Sequence, residues 1–203
     1  MPPVAVWLVR HGESTANIGQ HSANHADIQL TERGHQQALA VVAQIAQRPD
    51  LVVVSPFVRT RSTAQPLLER WPDTPVQTWP IEEFSYLDPA RANNTSVTER
   101  RPLVQAYWQR ADSDFVDGAG AESFTHLVAR VQAFHQRLWQ QQGRVVVFGH
   151  GQFLRAFLLH LEQRLQASSA GMQLYRQEET SSPVRNGQVI SVRLTAPVAV
   201  YDD

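Results

Sequence analysis

The chain has 203 residues and a formal net charge of -1, so it carries no excess of positive charge for extended contact with nucleic acid. All 18 of its positively charged side chains are arginine and it has no cysteine. A Schiff-base lysine, the lysine of a P-loop, a disulfide and a cysteine nucleophile are therefore excluded. This length predicts a single domain over residues 1–203.

The N-terminal sequence lacks a basic lead followed by a long apolar segment, and no later run approaches the ~20 apolar residues that a membrane helix needs. We therefore expect a soluble, cytoplasmic protein with neither a membrane nor a nucleic acid as partner. The sequence sets no oligomeric state.

The first third of the chain predicts a strand, a helix and a second strand. A continuous apolar run predicts a buried strand over Val4–Val9, which ends at the polar sequence Arg10-His11-Gly12. Thr31 is expected to cap a helix. The expected apolar face of that helix consists of Leu39, Val42, Ile45 and Ala46. The apolar run 50–54 predicts the next buried strand, which ends at Ser55-Pro56.

The same alternation continues to the C-terminus. Helices are predicted over residues 58–70, 122–142 and 153–166, and the sequence RVVVFGHG predicts a third strand that ends at Gly149-His150-Gly151. After a turn at Asn186-Gly187, an alternating pattern predicts an antiparallel edge strand. Alternating strands and helices favour a mostly parallel sheet covered on both faces, so we expect a three-layer α/β/α sandwich.

Residues 79–120 differ in composition from the rest of the chain, being rich in aromatic residues, proline, arginine and asparagine. We interpret them as an insertion over the active site that selects the substrate, with one helix around 99–110. In parallel sheets ligands bind beyond the carboxyl ends of the strands. Arg10-His11-Gly12, Ser55-Pro56 and Gly149-His150-Gly151 all follow predicted strands, which makes them the candidate functional positions.

Several motifs occur in chain order, namely LVRHGESTAN, LTERGHQQA, VSPFVRTRSTA, GAESF and VVVFGHGQF. Together they resemble the histidine phosphatase superfamily, which includes the phosphoglycerate-mutase-like proteins. The resemblance runs from Val4 to about Leu159, and its specificity comes from the order of the motifs. It implies a phosphohistidine mechanism at the RHG motif.

The chemistry of phosphoryl transfer agrees with this resemblance. The reaction needs a positioned nucleophile and fixed donors for the charged oxygens. A neutral His11 can be that nucleophile, with Arg10, Arg59 and His150 holding the oxygens. A lone Arg-His-Gly tripeptide would more often hold an ordinary surface histidine. Arg61 is a rival to Arg59, but the family spacing from Ser-Pro selects Arg59.

Further phosphate contacts are expected around the second histidine and the first motif. Gly12 and Gly151 allow a close approach of the backbone, and the first N–H groups of the helix after Gly151, including that of Gln152, point at an anion. Asn17 resembles the family asparagine and is expected to donate its amide to phosphate, or else it is an ordinary turn residue.

The leaving group needs a proton, which a carboxyl group can supply. The resemblance places this acid in the sequence Ile81-Glu82-Glu83, and we choose Glu83, with Glu82 as the alternative. Glu122 and Ser123 resemble a Gly-Glu-Ser motif with an extra alanine, and they either support the site or cap the helix that follows.

The sequence favours no metal site and no cofactor. His21, His25 and Asp27 have a spacing that could suggest a metal, but a solvated loop at the mouth of the pocket is preferred because a fourth ligand is lacking. The remaining histidines, on predicted helices, are interpreted as surface or packing residues: His35, His126, His135 and His160.

We therefore predict a metal-independent phosphomonoesterase that acts on a small phosphorylated metabolite. One alternative is a phosphomutase, but family mutases carry Glu-Arg-His-Tyr-Gly at the acid, whereas Glu83 is followed here by Phe84-Ser85-Tyr86-Leu87. Another alternative is a phospho-ligand or protein-binding module with a weakened site, although every charged member of the expected site is retained.

Overall fold

A single sheet organises the computed structural model, which describes residues 3–20, 24–92 and 95–194. Its strands are β1 (Val4–Arg10), β2 (Leu51–Val54), β3 (Val76–Thr78), β4 (Arg144–Gly149) and β5 (Val189–Leu194). Their order in the sheet is β3-β2-β4-β1-β5. All neighbours are parallel except β5, which pairs antiparallel with β1 at the edge. The predicted mostly parallel sheet with an antiparallel C-terminal edge strand is confirmed.

Helices cover both faces of this sheet. They are α1 (Glu32–Gln44), α2 (Val58–Arg70), α3 (Pro89–Ala92), α4 (Val97–Arg110), α5 (Phe124–Trp139), α6 (Gly151–Leu161) and α7 (Ser169–Ser181), with a short 3-10 helix over His25–Asp27. α1 and α2 pack on one face, while α5, α6 and α7 pack on the other. The three-layer α/β/α architecture follows. Within the described ranges, no helix combines the length and the hydrophobicity needed to cross a bilayer.

The central strands are apolar at successive positions because both of their faces are buried. In β2, Val52 and Val54 pack with α1 and α2, whereas Leu51 and Val53 pack with the helices of the other face. In β4 all residues from Val145 to Phe148 are buried. Continuous apolar runs were therefore the correct signal for these strands.

The predicted apolar face of α1 is confirmed in part. Ile45 is buried and Val42 packs against the core, but Leu39 is 62% exposed and Ala46 is also exposed. The buried residues Ala38, Val41 and Ile45 follow a spacing of three and four positions, which places them on one side of the helix. The predicted face is therefore rotated toward solvent at Leu39 and Ala46.

Element boundaries differ from the prediction, and three strands or helices were not predicted. α5 begins after the N-cap Ser123, whose side chain accepts a hydrogen bond from His126 N, so Glu122 precedes the helix. α6 begins earlier and ends earlier than the predicted 153–166. The unpredicted elements are β3, which has only three exposed residues, α3, which has only four residues, and α7, which has no strong apolar stripe.

Segment 79–120 packs against the domain core. Trp79, Ile81, Phe84 and Tyr107 are buried in the same hydrophobic cluster as α5, α6 and α7. It contains α3 and α4, the second of which matches the helix predicted around 99–110. The segment thereby brings residues 82–87 to the carboxyl edge of the sheet.

Candidate active site

The two histidines expected in the site come together because the strands before them pair. β1 and β4 are parallel neighbours with Arg10 opposite Gly149, so the next residues, His11 and His150, emerge side by side. Their ring centroids are 5.2 Å apart. Ser55 follows β2 at the same edge, and its Oγ lies 2.7 Å from Nε2 of His150.

The ring of His11 is held at both nitrogens. Nδ1 lies 2.7 Å from the carbonyl oxygen of Gly12, and Nε2 lies 3.2 Å from the donating Nε of Arg59. Because a carbonyl can only accept, we assign the proton to Nδ1 and the lone pair to Nε2. Burial, followed by the charge of Arg59, holds the pKa of His11 well below 6.5. His11 is therefore neutral at neutral pH and can act as a nucleophile through Nε2.

Arg59, at the start of α2, connects both imidazoles through one guanidinium. Its NH2 lies 3.1 Å from Nδ1 of His150, and its NH1 donates over 2.7 Å to the carbonyl of His25. Burial lowers the pKa of Arg59 to about 10, while the charge of Glu83 opposes that shift. The guanidinium thus remains positive at neutral pH beside Nε2 of His11. Arg61 is exposed and donates instead to Thr78 Oγ1 over 3.2 Å.

His150 is fully buried next to this guanidinium. Burial, followed by the charge of Arg59, holds its pKa well below 6.5, so the ring is neutral. Because the guanidinium of Arg59 can only donate, its NH2 assigns the lone pair of His150 to Nδ1, and Nε2 carries the proton and donates to Ser55 Oγ. His150 can donate from Nδ1 to a phosphoryl oxygen only in the other tautomer, once Arg59 has turned from the ring and Ser55 donates to Nε2.

The structure brings Glu83 to the two histidines. One carboxylate oxygen of Glu83 and one ring nitrogen each of His11 and His150 lie within 4.8 Å of one another. Glu83 Oε1 also accepts from the backbone N of Gln152 over 2.9 Å. This N–H, which we expected to bind phosphate, orients the candidate acid instead. Glu82 points elsewhere, with Oε2 3.6 Å from Arg130 NH1.

An ion pair that the sequence did not reveal holds the segment that carries Glu83. Arg130 on α5 donates to both carboxylate oxygens of Glu122, at 2.9 and 2.5 Å, and to the carbonyl oxygens of Pro80 and Glu82. The Glu122 carboxylate also accepts from Ser85 N over 3.3 Å. Since Ser123 caps the helix, Glu122 supports the site, which was one of its two expected roles.

Arg10 lies next to Glu83 in the lining of a second cavity. Its NH1 donates over 2.6 Å to the carbonyl of Val184, and a Cβ at position 151 would lie 3.1 Å from its Nε. The absence of a side chain at Gly151 therefore makes room for Arg10. This second cavity has a volume of about 310 Å³. It shares Glu83 with the cavity that contains His11 and Arg59, here called the main cavity. The charge of Arg10 contributes to lowering the pKa of both His11 and His150.

Asn17 lines the main cavity together with His11. Its Oδ1 accepts from Ser14 N and Ser14 Oγ, both at 3.0 Å, and from Asn186 Nδ2 at 3.1 Å. Because the oxygen is held in this way, the amide nitrogen of Asn17 is the atom that can serve a ligand. This orientation fits the expected role as a donor to phosphate.

The main cavity combines this polar floor with a largely apolar wall. It has a volume of about 270 Å³ and contains His11, Asn17, Arg59 and Glu83 in its lining. Segment 79–120 supplies much of the remaining wall. The apolar and aromatic wall residues from this segment include Phe84, Tyr86, Leu87, Pro89, Ala92 and Val104, and the polar ones include Thr95 and Arg100. A phosphoryl group fits the polar floor, with the remainder of a ligand against this wall and near the charge of Arg100.

The alternative metal site near the pocket mouth lacks support in the described part of the chain. His21 lies outside the described residues. Asp27 Oδ2 accepts over 2.6 Å from Asn24, and His25 lines the main cavity. His11, Glu83 and His150 form the one metal-capable group of described residues. The guanidinium of Arg59 contacts both of those histidines, which disfavours a cation there.

Sequence reasoning also missed Thr63, which joins the nucleophile loop to α2. Its Oγ1 accepts from the backbone N of Gly12 over 3.0 Å and donates to the carbonyl of Arg59 over 2.6 Å. A Cβ on Gly12 would lie 2.4 Å from the carbonyl oxygen of Gly34, so Gly12 permits close packing of α1. The spacing of four residues between Arg59 and Thr63 on a predicted helix was the available signal.

Comparison with known proteins agrees with this geometry. A profile of the histidine phosphatase superfamily (branch 1) matches residues 6–184. An adenosylcobalamin/alpha-ribazole phosphatase of Salmonella typhi is 34% identical over 137 residues, which are 66% of this chain and 66% of that protein. The aligned part thus spans about two thirds of that relative.

Two further comparisons cover more of the chain. A 2,3-bisphosphoglycerate-dependent phosphoglycerate mutase of Mesorhizobium japonicum is 28% identical over 76% of this chain and 80% of its own length. The crystal structure of the alpha-ribazole phosphatase from Shigella flexneri has a TM-score of 0.70 at 22% identity, and the match covers 92% of this chain and 89% of that one. The relatives include phosphatases, and a phosphatase activity fits the site. The chain belongs to the histidine phosphatase superfamily (branch 1).

Proposed function

We propose that this chain is a metal-independent phosphomonoesterase that acts through a phosphohistidine at His11. The observation that carries this proposal is the state of the His11 ring. Its proton is held on Nδ1 by the Gly12 carbonyl, while Nε2 faces the guanidinium of Arg59. A neutral imidazole whose unprotonated Nε2 accepts from a guanidinium can attack a phosphoryl group once that guanidinium turns to the phosphoryl oxygens.

In the first half of the reaction, Arg59, with His150 and Asn17, holds the peripheral oxygens. Nε2 of His11 attacks phosphorus in line, and the bond from phosphorus to the ester oxygen breaks. Glu83, protonated when the reaction begins, donates this proton to the departing oxygen, so the leaving group departs as an alcohol and Glu83 becomes a carboxylate. The charge of Arg10, which lines a cavity together with Glu83, contributes to the positive field of the site.

In the second half, water attacks the phosphorus of the phosphohistidine. Glu83, now a carboxylate, takes a proton from this water, and the phosphorus–nitrogen bond breaks. Orthophosphate leaves, and His11 returns to its neutral form with the proton on Nδ1. Both steps use groups whose reactive atoms lie within 4.8 Å of one another.

Hydrolysis is favoured over phosphomutase activity by the wall of the cavity opposite His11. A mutase must hold a doubly functional substrate and return the phosphoryl group to a second hydroxyl. Here Phe84, Tyr86 and Leu87, which follow Glu83 in the chain, line the cavity and suit the apolar part of a leaving group, with Arg100 as a positive neighbour. The substrate class that we propose is a small phosphomonoester whose organic part packs against this wall.

A panel of alkyl and aryl phosphomonoesters tests the proposal, with orthophosphate release as the readout and EDTA present in parallel. We expect release that EDTA leaves unchanged, because the positive charge of the site comes from arginine. Interconversion of phosphoglycerates without net phosphate release would favour the mutase instead. Binding of phosphomonoesters without turnover would favour a binding module.

A further inference from the structure

Residues 184–188, here called the C-terminal strap, run along the loop that carries His11. Arg10 meets the strap at three points. Its NH1 donates to Val184 O over 2.6 Å, its backbone N donates to Gln188 O over 3.2 Å, and its carbonyl accepts from Gly187 N over 3.0 Å. Residues 185–188 lie beyond the range 6–184 that matches the superfamily.

Asn186 is the strap residue whose side chain reaches the nucleophile loop. Its Nδ2 donates over 3.0 Å to the carbonyl of His11 and over 3.1 Å to Oδ1 of Asn17. One primary amide thus uses its two protons on two different members of the proposed site. Asn186 lines a separate surface depression with Gly187 and Arg185, so it acts from behind the loop.

The first of these bonds fixes the peptide unit that joins His11 to Gly12. Asn186 holds the carbonyl end of this unit, and Thr63 Oγ1 accepts from its N–H end over 3.0 Å. The His11 carbonyl also accepts a longer hydrogen bond from Gly187 N, at 3.4 Å. Because glycine at position 12 has wide backbone freedom, this peptide would rotate more easily without the shorter bond from Asn186. Rotation would carry the carbonyl of Gly12 away from Nδ1 of His11, and the lone pair at Nε2 would lose its direction.

We infer that Asn186 is a positioning residue for the phosphoryl-transfer site. It orients the ring of His11 through the His11 carbonyl, and it orients the amide nitrogen of Asn17 through Oδ1. This inference rests on the proposed function for its catalytic consequence. The structural consequence, a single His11 tautomer, can be measured without any turnover.

The variant Asn186→Ala tests the inference, with Gln188→Ala as its matched control. The Gln188 side chain accepts from Arg185 N over 2.8 Å, within the strap itself. The measurement is the single-turnover rate of phosphoenzyme formation with an aryl phosphate. Because small misplacements of reacting groups are costly, we expect Asn186→Ala to slow this rate by about 10–100-fold and Gln188→Ala to leave it near that of the parent. Thermal melting of each variant establishes that it is folded.

Two further measurements separate positioning from loss of structure. ¹⁵N chemical shifts of the His11 ring should report one tautomer with the proton on Nδ1 in the parent and a mixture in Asn186→Ala. Asn186→Asp keeps the size of the side chain but removes both donors, so it should also slow phosphoenzyme formation. This variant tests the inference if Asn186→Ala is unstable.

The coupling to Asn17 is tested by the double variant. If Asn186 acts partly through Asn17, the fold-loss of the single-turnover rate in the double variant will be smaller than the product of the fold-losses in Asn17→Ala and Asn186→Ala. An unchanged rate and an unchanged His11 tautomer in both Asn186 variants would overturn the inference and leave the proposed function standing. A parent that forms no phosphohistidine would overturn the proposed function, and the tautomer measurement would still decide the positioning role.

Discussion

The guanidinium of Arg59 donates to Nε2 of His11 over 3.2 Å, so the group that we propose to hold the phosphoryl oxygens also disfavours protonation of the proposed nucleophile. Its charge is the second largest cause, after burial, of the lowered pKa of His11. When a phosphoryl group binds, the same N–H groups can turn from the imidazole to the oxygens. Arg59 therefore has a role before the reaction and another one during it.

Replacing Arg59 by glutamine should raise the pH at which the rate of phosphoenzyme formation falls off on the acid side of its pH profile. Without the positive charge, protonation of His11 becomes easier, and protonated His11 has no lone pair for attack. The parent should keep its rate of phosphoenzyme formation below pH 6.5, because its His11 pKa lies well below that value. Arg61→Gln, two residues away and exposed, serves as the control. A fall-off at the same pH in Arg59→Gln as in the parent would contradict this account.

The variant Glu83→Gln should slow alkyl phosphates far more than an activated aryl phosphate. An aryl leaving group departs with little protonation, so it depends less on the acid. The comparison is made on the burst of phosphoenzyme formation, because Glu83 is also proposed to activate water in the second step. Glu82→Gln, whose parent side chain lies near Arg130, is the matched control and should change little. Equal losses on both substrates would assign Glu83 to positioning.

Glu122→Ala should destabilise the fold and impair the acid together. Arg130 would keep its charge in a mostly buried position, where its side chain is 14% exposed, after losing its two contacts with the Glu122 carboxylate and keeping only the more distant Glu82 at 3.6 Å. We expect a loss of about 2 kcal/mol in the free energy of unfolding. Urea denaturation measures this loss. Alkyl phosphates should again be slowed more than aryl phosphates, and a uniform loss would separate Glu122 from the function of Glu83.

A histidine pair away from the site should make stability depend on pH. Nδ1 of His135 on α5 lies 2.9 Å from Nε2 of His160 on α6, and burial lowers the pKa of both from 6.5. Below pH 6.5 the unfolded chain therefore binds more protons than the folded one, and the free energy of unfolding falls as pH falls. His135→Phe should flatten this dependence, as measured by denaturation at several pH values. Gln136→Ala, on the exposed side of α5, controls for substitution in that helix, and a slope equal to the parent's in His135→Phe would contradict the prediction.

The strand ends were predictable from the sequence because burial on both faces leaves a continuous apolar run. Such runs end at Arg10-His11 and at Gly149-His150, which is why both pairs are expected at the carboxyl edge of the sheet. The pairing of β1 with β4, which brings the two histidines to 5.2 Å, is long-range and left no local signal. The resemblance to a known family supplied that step.

The supporting contacts were beyond the sequence for the same reason. Arg130 is 48 residues from Glu82, and Asn186 is 175 residues from His11. No local sequence interval links Arg130 or Asn186 to the residues of the site. In the sequence, each resembles an ordinary polar residue of a helix or a turn. The apolar face of α1 could be predicted only in part, because Leu39, Val42 and Ala46 follow the same intervals of three and four as the buried Ala38, Val41 and Ile45.

The measurement that tests the central claim most directly is rapid quench of the enzyme with a ³²P-labelled phosphomonoester. The account predicts an acid-labile, alkali-stable label on the parent, located on the peptide that contains His11. His11→Ala, shown to be folded by circular dichroism, should carry no such label and should lose nearly all turnover. An acid-labile, alkali-stable label on the folded His11→Ala variant would contradict the assignment of His11 as the nucleophile.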